Sequence, residues 1–569
     1  MVTLGTVAIP IVSASDTLIV AQIPLDTAPG KTQLTVTANG SSSSAQDVTI
    51  VPAAPGILRA WNAASRGTGP VVRRGEYLAL FCAGLGAVDN PPAAGANGVS
   101  NPLSTAKADV TVQIGGTPLA PAYAGLAPYE PLGSDAVGVY EVDVLIPLDA
   151  PTGDAISISV SIGGVTSNLI TVAIQTEDPL QALYKWTQIG PGGAAIARAI
   201  VGGATCPAVT VDGSDMPMQV RAPATLPLYP VTSCELAIPD GIGMLSLGSF
   251  VFPLPKPDVR RITVLGDTGC RLDATRIQAC NDPAQWPLDQ VANSVAATQP
   301  DLIMHMGDYH YREAPCPAGN TGCANTPWGY DWAVWNADVF SKFNPMFRAA
   351  PMLIIRGNHE SCDRAGEGWF RFLDPRPLPD SCQKFNDPYT VQAGPVQLFI
   401  VDSSEATDAT ADPALVAMLK PYFNQLANVI TPNTWVAMHH PIWGFDNTTT
   451  RNLSLQVASN NSLPEGVQLV LAGHIHTFQT LTFPAARTPQ ILIGNGGDFL
   501  QAYPAAVTNF NGMTVGGAMV TDSALFKDFG FTTFDWNGDT WSIVSRDPSG
   551  APVFNCTLAA LAIPCKIPQ

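Results

Sequence analysis

Five short clusters in this chain carry the residue types that bind cations: Asp267-Thr268-Gly269, Gly307-Asp308-Tyr309-His310-Tyr311, Gly357-Asn358-His359-Glu360, His439-His440-Pro441 and Gly473-His474-Ile475-His476. Asp308 offers two oxygens, enough to bridge two ions. Tyr311 follows three residues on and can bind as phenolate. A phenol with a free pKa near 10 loses its proton at neutral pH only beside strong positive charge. His474 and His476 are two apart, so an extended backbone puts both on one face. All seven histidines, His305, His310, His359, His439, His440, His474 and His476, fall between positions 305 and 476 of 569. Taken singly, the clusters have ordinary explanations. Asp267 is a common turn residue, Asn358-His359 a turn with a satisfied imidazole, and His439-His440 core. The metal-site reading comes from their joint order.

The elements that must position them are legible too. Apolar runs of strand length at 262–265, 302–304, 352–355, 435–438 and 467–471 each end just before a cluster, and 396–401 and 491–493 add two more. Between them, segments such as 289–298 and 413–427 have helical character. This alternation is the α/β pattern, with strands buried on both faces. Open α/β sheets bind ligands at the carboxyl ends of their strands, where the clusters sit. The adjoining glycines let the backbone turn sharply.

The order D-x-G, G-D-x-x-Y, G-N-H-E, V-x-x-H, G-H-x-H, the fourth written here Val436-Ala437-Met438-His439, resembles that of the purple acid phosphatases within the metallophosphoesterase (calcineurin-like phosphoesterase) superfamily. The resemblance covers about residues 258–545. Gly269 stands where many relatives carry a histidine ligand, which Tyr311 would replace. The resemblance implies a four-layer β-sandwich flanked by helices over 258–548, holding two metal ions. Fe(III) would lie on Asp267, Asp308, Tyr311 and His476. Zn, Mn or Fe(II) would lie on Asp308, Asn358, His439 and His474. His439 is taken rather than His440 because the family ligand sits two residues before the proline. Carboxylate and phenolate suit a hard trivalent ion, imidazole and amide a divalent one.

The function so implied is hydrolysis of phosphomonoesters by attack of metal-bound hydroxide on phosphorus. His359, beside Asn358, is the first candidate for hydrogen bonding to the transition state or protonating the leaving group, with His310 and His440 behind it. The family's further histidines after V-x-x-H are missing, which leaves the general acid open. Substrates would be small phosphate esters or phosphoproteins. A phosphodiesterase or nucleotide hydrolase on the same metals is the alternative enzyme, and a surface adhesin with an inactive phosphatase domain the non-enzymatic one. Gly494-Asn495-Gly496-Gly497 lacks the Lys-Ser/Thr of a P-loop and is expected to shape the rim near His476.

Composition bounds the rest. The net charge of −18 argues against nucleic-acid recognition and anionic membrane surfaces, and no apolar run has the length of a membrane span. Of 11 cysteines, ten fall into close pairs, 206/234, 270/280, 316/323, 362/382 and 556/565, with no CxxC. Such spacing favours disulfides and an extracellular or periplasmic location. Cys82 reads as a buried free thiol. Met1-Val2-Thr3-Leu4 lacks the start of a signal peptide, so the chain is expected to be a fragment or trimmed.

Upstream, 1–176 reads as all-β. The stretch 23–30 (IPLDTAPG) recurs at 146–153 (IPLDAPTG), each copy feeding alternating β-branched residues. Two sandwich modules are expected, a partial one at 1–52 and a second at 53–176. They resemble the immunoglobulin-like, TIG-type modules of bacterial surface proteins, and are read as spacers or as contacts to cell-surface material. A β-rich domain with a Pro-rich linker is expected at 177–257 and a tail at 549–569. The fold class is thus multidomain, all-β sandwich modules followed by the α/β metallophosphoesterase domain.

Overall fold

The computed structural model describes residues 1–66, 71–128, 136–178, 182–447, 449–450, 452–484 and 487–568. Two large sheets face each other in the C-terminal part. The strands that matter for the site are β1 (Tyr184–Ile189), β2 (Arg261–Leu265), β3 (Leu302–His305), β4 (Met352–Ile354), β5 (Val396–Val401), β6 (Thr434–Met438), β7 (Val467–Ala472) and β8 (Gln490–Ile493). The first sheet has eleven strands and contains the parallel run β1-β4-β3-β2. The second has seven and contains the parallel run β5-β6-β7-β8. Register brings the strand ends level, with Leu265 opposite His305 and His305 opposite Ile354 in the first sheet, and Val401 opposite Met438 in the second.

Val264, Met304, Leu353, Leu398, Ala437, Leu471, Ile491 and Phe534 meet between the sheets as one buried cluster. Helices α1 (Leu288–Ala297) and α2 (Ser341–Ala349) cover the outer face of the first sheet, and α3 (Pro413–Val429) covers that of the second. The result is helix, sheet, sheet, helix, the four layers expected. Strands buried on both faces explain the unbroken apolar runs. Helix α3 starts where its sequence says it should. Asp412 accepts from the Ala414 and Leu415 amides at 2.8 and 3.0 Å, and Pro413 occupies the first turn.

Hydrogen bonds cross two expected boundaries. β1 pairs in parallel with β4, and Ala195–Val201, Thr232–Ala237 and Gln219–Ala222 extend the same sheet, so much of 177–257 is the edge of the first large sheet rather than a separate domain. Pro552–Leu558 pairs with Trp541–Arg546, so the expected tail is also a sheet strand. Short β runs look alike in sequence whether they close their own sandwich or extend a sheet whose partner lies far along the chain.

Residues 53–176 form two sheets around Leu80, Val112, Val142, Ile158 and Val172. The internal echo has a structural counterpart. Gly30–Ala38 turns back onto Ser41–Ser42, and Gly153–Ile162 onto Val165–Thr166. In both, a serine oxygen accepts from a strand amide, Ser43 Oγ from Val36 at 3.1 Å and Ser167 Oγ from Val160 at 3.0 Å. The second module contacts the C-terminal part directly. Trp332 Nε1 donates to the Ala64 carbonyl at 2.6 Å, and Arg66 pairs with Asp331 at 3.4 Å. All five expected disulfides are formed, and Cys82 is free and buried. Among the described residues no helix is long and apolar enough to cross a membrane.

Candidate metal centre

The strand ends turn sharply. Asp267, Asp308 and His474 adopt φ of +57°, +57° and +69°, a region non-glycine residues seldom occupy. Such strain persists only where surroundings enforce it, and Glu360 supplies the enforcement at Asp308. Its Oε2 accepts from the Gly357 and Asp308 amides, both at 3.1 Å, and its Oε1 from those of Tyr309 at 2.9 Å and His310 at 3.2 Å. Burial and the nearby Asp308 push Glu360 up to about 8, and the amides and His439 oppose this. Gly357 has no substitute, since a Cβ there would lie 2.1 Å from Asp308 Oδ1. A Cβ on Gly269 would lie 2.5 Å from the Tyr309 carbonyl oxygen and 3.0 Å from Tyr311 Cδ2, so the second cluster packs directly on this glycine.

All seven expected ligands converge. Tyr311 Oη lies 2.8 Å from Asp308 Oδ2, 3.1 Å from Asp267 Oδ1 and 3.1 Å from His476 Nε2. Beside this group, His439 Nε2 lies 3.1 Å from Asp308 Oδ2 and 3.0 Å from Asn358 Oδ1, which is 3.1 Å from His474 Nδ1. Asp308 Oδ2 belongs to both groups. The far nitrogens of the imidazoles are engaged. His439 Nδ1 donates to the Met306 carbonyl and His476 Nδ1 to that of Phe499, both at 2.8 Å, and His474 Nε2 faces Asp408 at 3.1 Å. That partnering fixes which nitrogen is left for a cation.

The chemistry of this donor set fits cations. Asn358 turns its amide oxygen toward Asp308 Oδ2, His439 Nε2 and His474 Nδ1, where hydrogen bonding alone would favour the NH2 instead. Oxygen inward is the orientation a cation requires. Burial and the crowding of Asp308 and Asp498 push Asp267 well above the usual carboxylate range, with His439 opposing them. Burial, Asp308, Asp267 and Asp498 likewise push the Tyr311 phenol well up. For Asp308 burial acts upward, but His439 and His359 outweigh it and hold the group well below its ordinary value. For His439 burial acts downward, and Asp308 outweighs it to raise the group to about 9. Burial, reinforced by Arg271, keeps His476 well below its normal pKa and therefore neutral. Buried carboxylates sharing one spot call for positive charge between them.

The three expected catalytic histidines are placed differently. His359 lines the cavity, its ring 4.0 Å from that of Tyr311 and its backbone N–H donating to Asp308 Oδ1 at 2.9 Å. Its Nδ1 is 3.1 Å from Glu313 and its Nε2 3.1 Å from Arg364. His440 packs tilted against His474 with centroids 4.0 Å apart and offers a nitrogen within 4.8 Å of those of His439 and His474. His310 lies buried against Tyr330 and Trp335, and burial lowers it to about 3 against the opposing pull of Glu313 and the Gly329 backbone. It is not among the residues lining the cavity. His305 is structural, stacked on Tyr309 and bonded to Thr268 Oγ1 at 2.9 Å.

Other residues at the site were not singled out from sequence. Arg271 sits 4.3 Å over the Tyr311 ring and pairs with Asp498, whose Oδ2 is 3.1 Å from His476 Nδ1. Asp408 flanks His474, and Arg364 and Glu313 flank His359. The cavity above the centre measures about 420 Å³, lined by Arg271, Arg276, Asp408, Asp446, Phe499 and Gln501 around the ligands. Gly494–Gly497 lies near the first cluster, with Gly496 N donating to the Gly266 carbonyl at 2.9 Å.

Residues 260–478 match the family model of the calcineurin-like phosphoesterases. That segment is a calcineurin-like phosphoesterase domain, and the enzyme class it defines is a hydrolase of phosphoric ester bonds. No curated protein matches the chain. Among solved structures, similar chains include purple acid phosphatase PPD1 from yellow lupin (Lupinus luteus) seeds, at 13% identity over 85% of this chain and 94% of that one, TM-score 0.45. PhoD is similar at 10% identity over 86% and 90%, TM-score 0.37. GAP50, the anchor in the inner membrane complex of Plasmodium, is similar at 12% identity over 53% and 89%, TM-score 0.32.

Proposed function

We propose that the chain is a secreted, binuclear metal-dependent phosphatase that hydrolyses phosphomonoesters. The observation that carries this reading is the position of Asp308 Oδ2, 2.8 Å from Tyr311 Oη and 3.1 Å from His439 Nε2. One carboxylate oxygen therefore serves two donor groups. Asp267, Asp308, Tyr311 and His476 would hold Fe(III). Asp308, Asn358, His439 and His474 would hold Zn, Mn or Fe(II). The pair of cations supplies positive charge that lowers the pKa of water and balances phosphoryl charge.

The chain's own groups do the rest. The Met306 and Phe499 carbonyls keep His439 and His476 turned inward, and Glu360 keeps the Asp308 backbone in its strained turn. Arg271 and Arg276, which line the cavity, are the groups that can hydrogen-bond a phosphate ester there, while His359 lines it with both ring nitrogens engaged by Glu313 and Arg364. Five disulfides fit an oxidising compartment, which supports secretion. The second β module, docked through Ala64 and Trp332, is proposed to carry the domain at the cell surface. The reading is tested with Asp308→Asn. Purified variant should lose nearly all turnover of an aryl phosphate; equal rates for variant and parent would refute the assignment.

A further inference from the structure

Arg364 lies just past the Gly357-Asn358-His359-Glu360 turn, its side chain 28% exposed in the cleft beside the metal cavity, which it meets through Asn358 and His359. Its guanidinium is fixed on two sides. Glu313 Oε1 accepts from Nε at 2.7 Å and lies 2.6 Å from Nη2, and Nη2 also lies 3.1 Å from His359 Nε2. The remaining nitrogen, Nη1, points at the edge of the metal centre, 3.2 Å from the outward atom of the Asn358 amide. With the amide oxygen turned toward the ligand cluster, that outward atom is Nδ2, itself a donor. Two N–H-bearing groups thus converge at the rim, and neither has an acceptor there among the described residues.

We propose that Arg364 binds a terminal oxygen of the substrate's phosphoryl group and gives the site its preference for monoesters, with Glu313 as its positioning residue. The proposal rests on the phosphatase reading above. Convergent donors beside a cation site are what a phosphoryl oxygen needs, and a guanidinium suits it in geometry and charge. A monoester dianion carries three terminal oxygens and a diester only two. Two cations can engage two of them. The third oxygen, absent from a diester, is the one left for Arg364. His359, whose Nε2 accepts from Nη2, then acts through the arginine, steadying it.

The test compares parent, Arg364→Ala and Arg364→Lys as metal-loaded proteins. Three quantities are read: metal content, binding of inorganic phosphate by calorimetry, and kcat/KM for an aryl phosphomonoester and a bis-aryl diester. Arg364→Ala should keep its metals and bind phosphate about ten- to a hundredfold more weakly, the loss expected for one hydrogen bond to a charged group. Its monoester kcat/KM should fall further than its diester value. Arg364→Lys should recover part of the phosphate affinity, and added guanidinium ion should rescue the alanine variant in part. Parent-like phosphate binding by Arg364→Ala would overturn the proposal, as would equal losses on both esters or loss of metal from both variants. If the parent binds phosphate but hydrolyses neither ester, the phosphatase reading falls, while the phosphate arm still decides Arg364.

Discussion

Replacing Glu360 by glutamine should damage this protein as much as replacing it by alanine. The reason lies in how the carboxylate is used. In the metal-loaded protein, where cations beside Asp308 would offset the repulsion that helps push Glu360 up to about 8, its carboxylate would be ionised; each oxygen accepts two backbone N–H groups, Gly357 and Asp308 on one, Tyr309 and His310 on the other, and the side chain is fully buried. A glutamine amide can place its oxygen toward either pair, but its NH2 then faces the other pair donor to donor. Two buried N–H groups left without acceptors cost about 1–3 kcal/mol each, so about 2–6 kcal/mol together. Alanine orphans all four but leaves space that water can enter, which brings the two variants close. In a domain of this size a loss of 1 kcal/mol lowers Tm by about 2 °C, so the catalytic transition should fall by roughly 4–12 °C in calorimetry. The Asp308 turn should loosen with it, and both variants should retain less metal after dialysis. A glutamine variant that melts with the parent and keeps its metals would refute the claim that Glu360 enforces the turn.

Two further outcomes are expected. Asp143 in the second module is fully buried with no hydrogen-bond partner for either oxygen among the described residues, and burial raises it from 3.8 to about 7 against the pull of Arg66. Between those values the folded state keeps a proton that the unfolded state releases, so stability falls as pH rises from about 4 to about 7, by up to about 4 kcal/mol. Asp143→Asn should therefore melt above the parent at pH 8 and together with it at pH 4; a gain that is the same at both pH values would contradict the buried charge. The iron-loaded protein should show a visible tyrosinate-to-Fe(III) band, and Tyr311→Phe should abolish it while iron stays bound through Asp267, Asp308 and His476. Survival of the band in that variant would remove Tyr311 from the ligand set.

Much of the site could be read from the chain because a ligand held by a strand end must follow an apolar run, and a sharp turn there asks for glycine. Asp267, Asp308, Asn358, His439 and His474 all obey both constraints or one of them. Glu360 was equally visible, a carboxylate beside a ligand in a glycine turn, but its target is backbone amides, which leave no mark in sequence. Arg364 and Glu313 lie 51 residues apart, and Arg271 and Asp498 lie 227 apart, so only the folded chain joins them. The same distance effect hid the sheet edge. Nothing in Tyr184–Ile189 says that its partner is Met352–Ile354, and the pairing erases the expected break at residue 257. His310 and His305 sit in the motif region and yet are packed among aromatic rings, so position in a motif did not settle which histidines face the cavity.

Asp308 is proposed to sit between two cations. Crystals of the metal-loaded protein, measured at the absorption edges of the bound elements, test it most directly. Two anomalous peaks are expected about 3.5–4 Å apart, one among Asp267, Tyr311 and His476 and the other among Asn358, His439 and His474, with Asp308 Oδ2 between them. A single peak, or density that leaves Asp308 without a metal on either side, would contradict it.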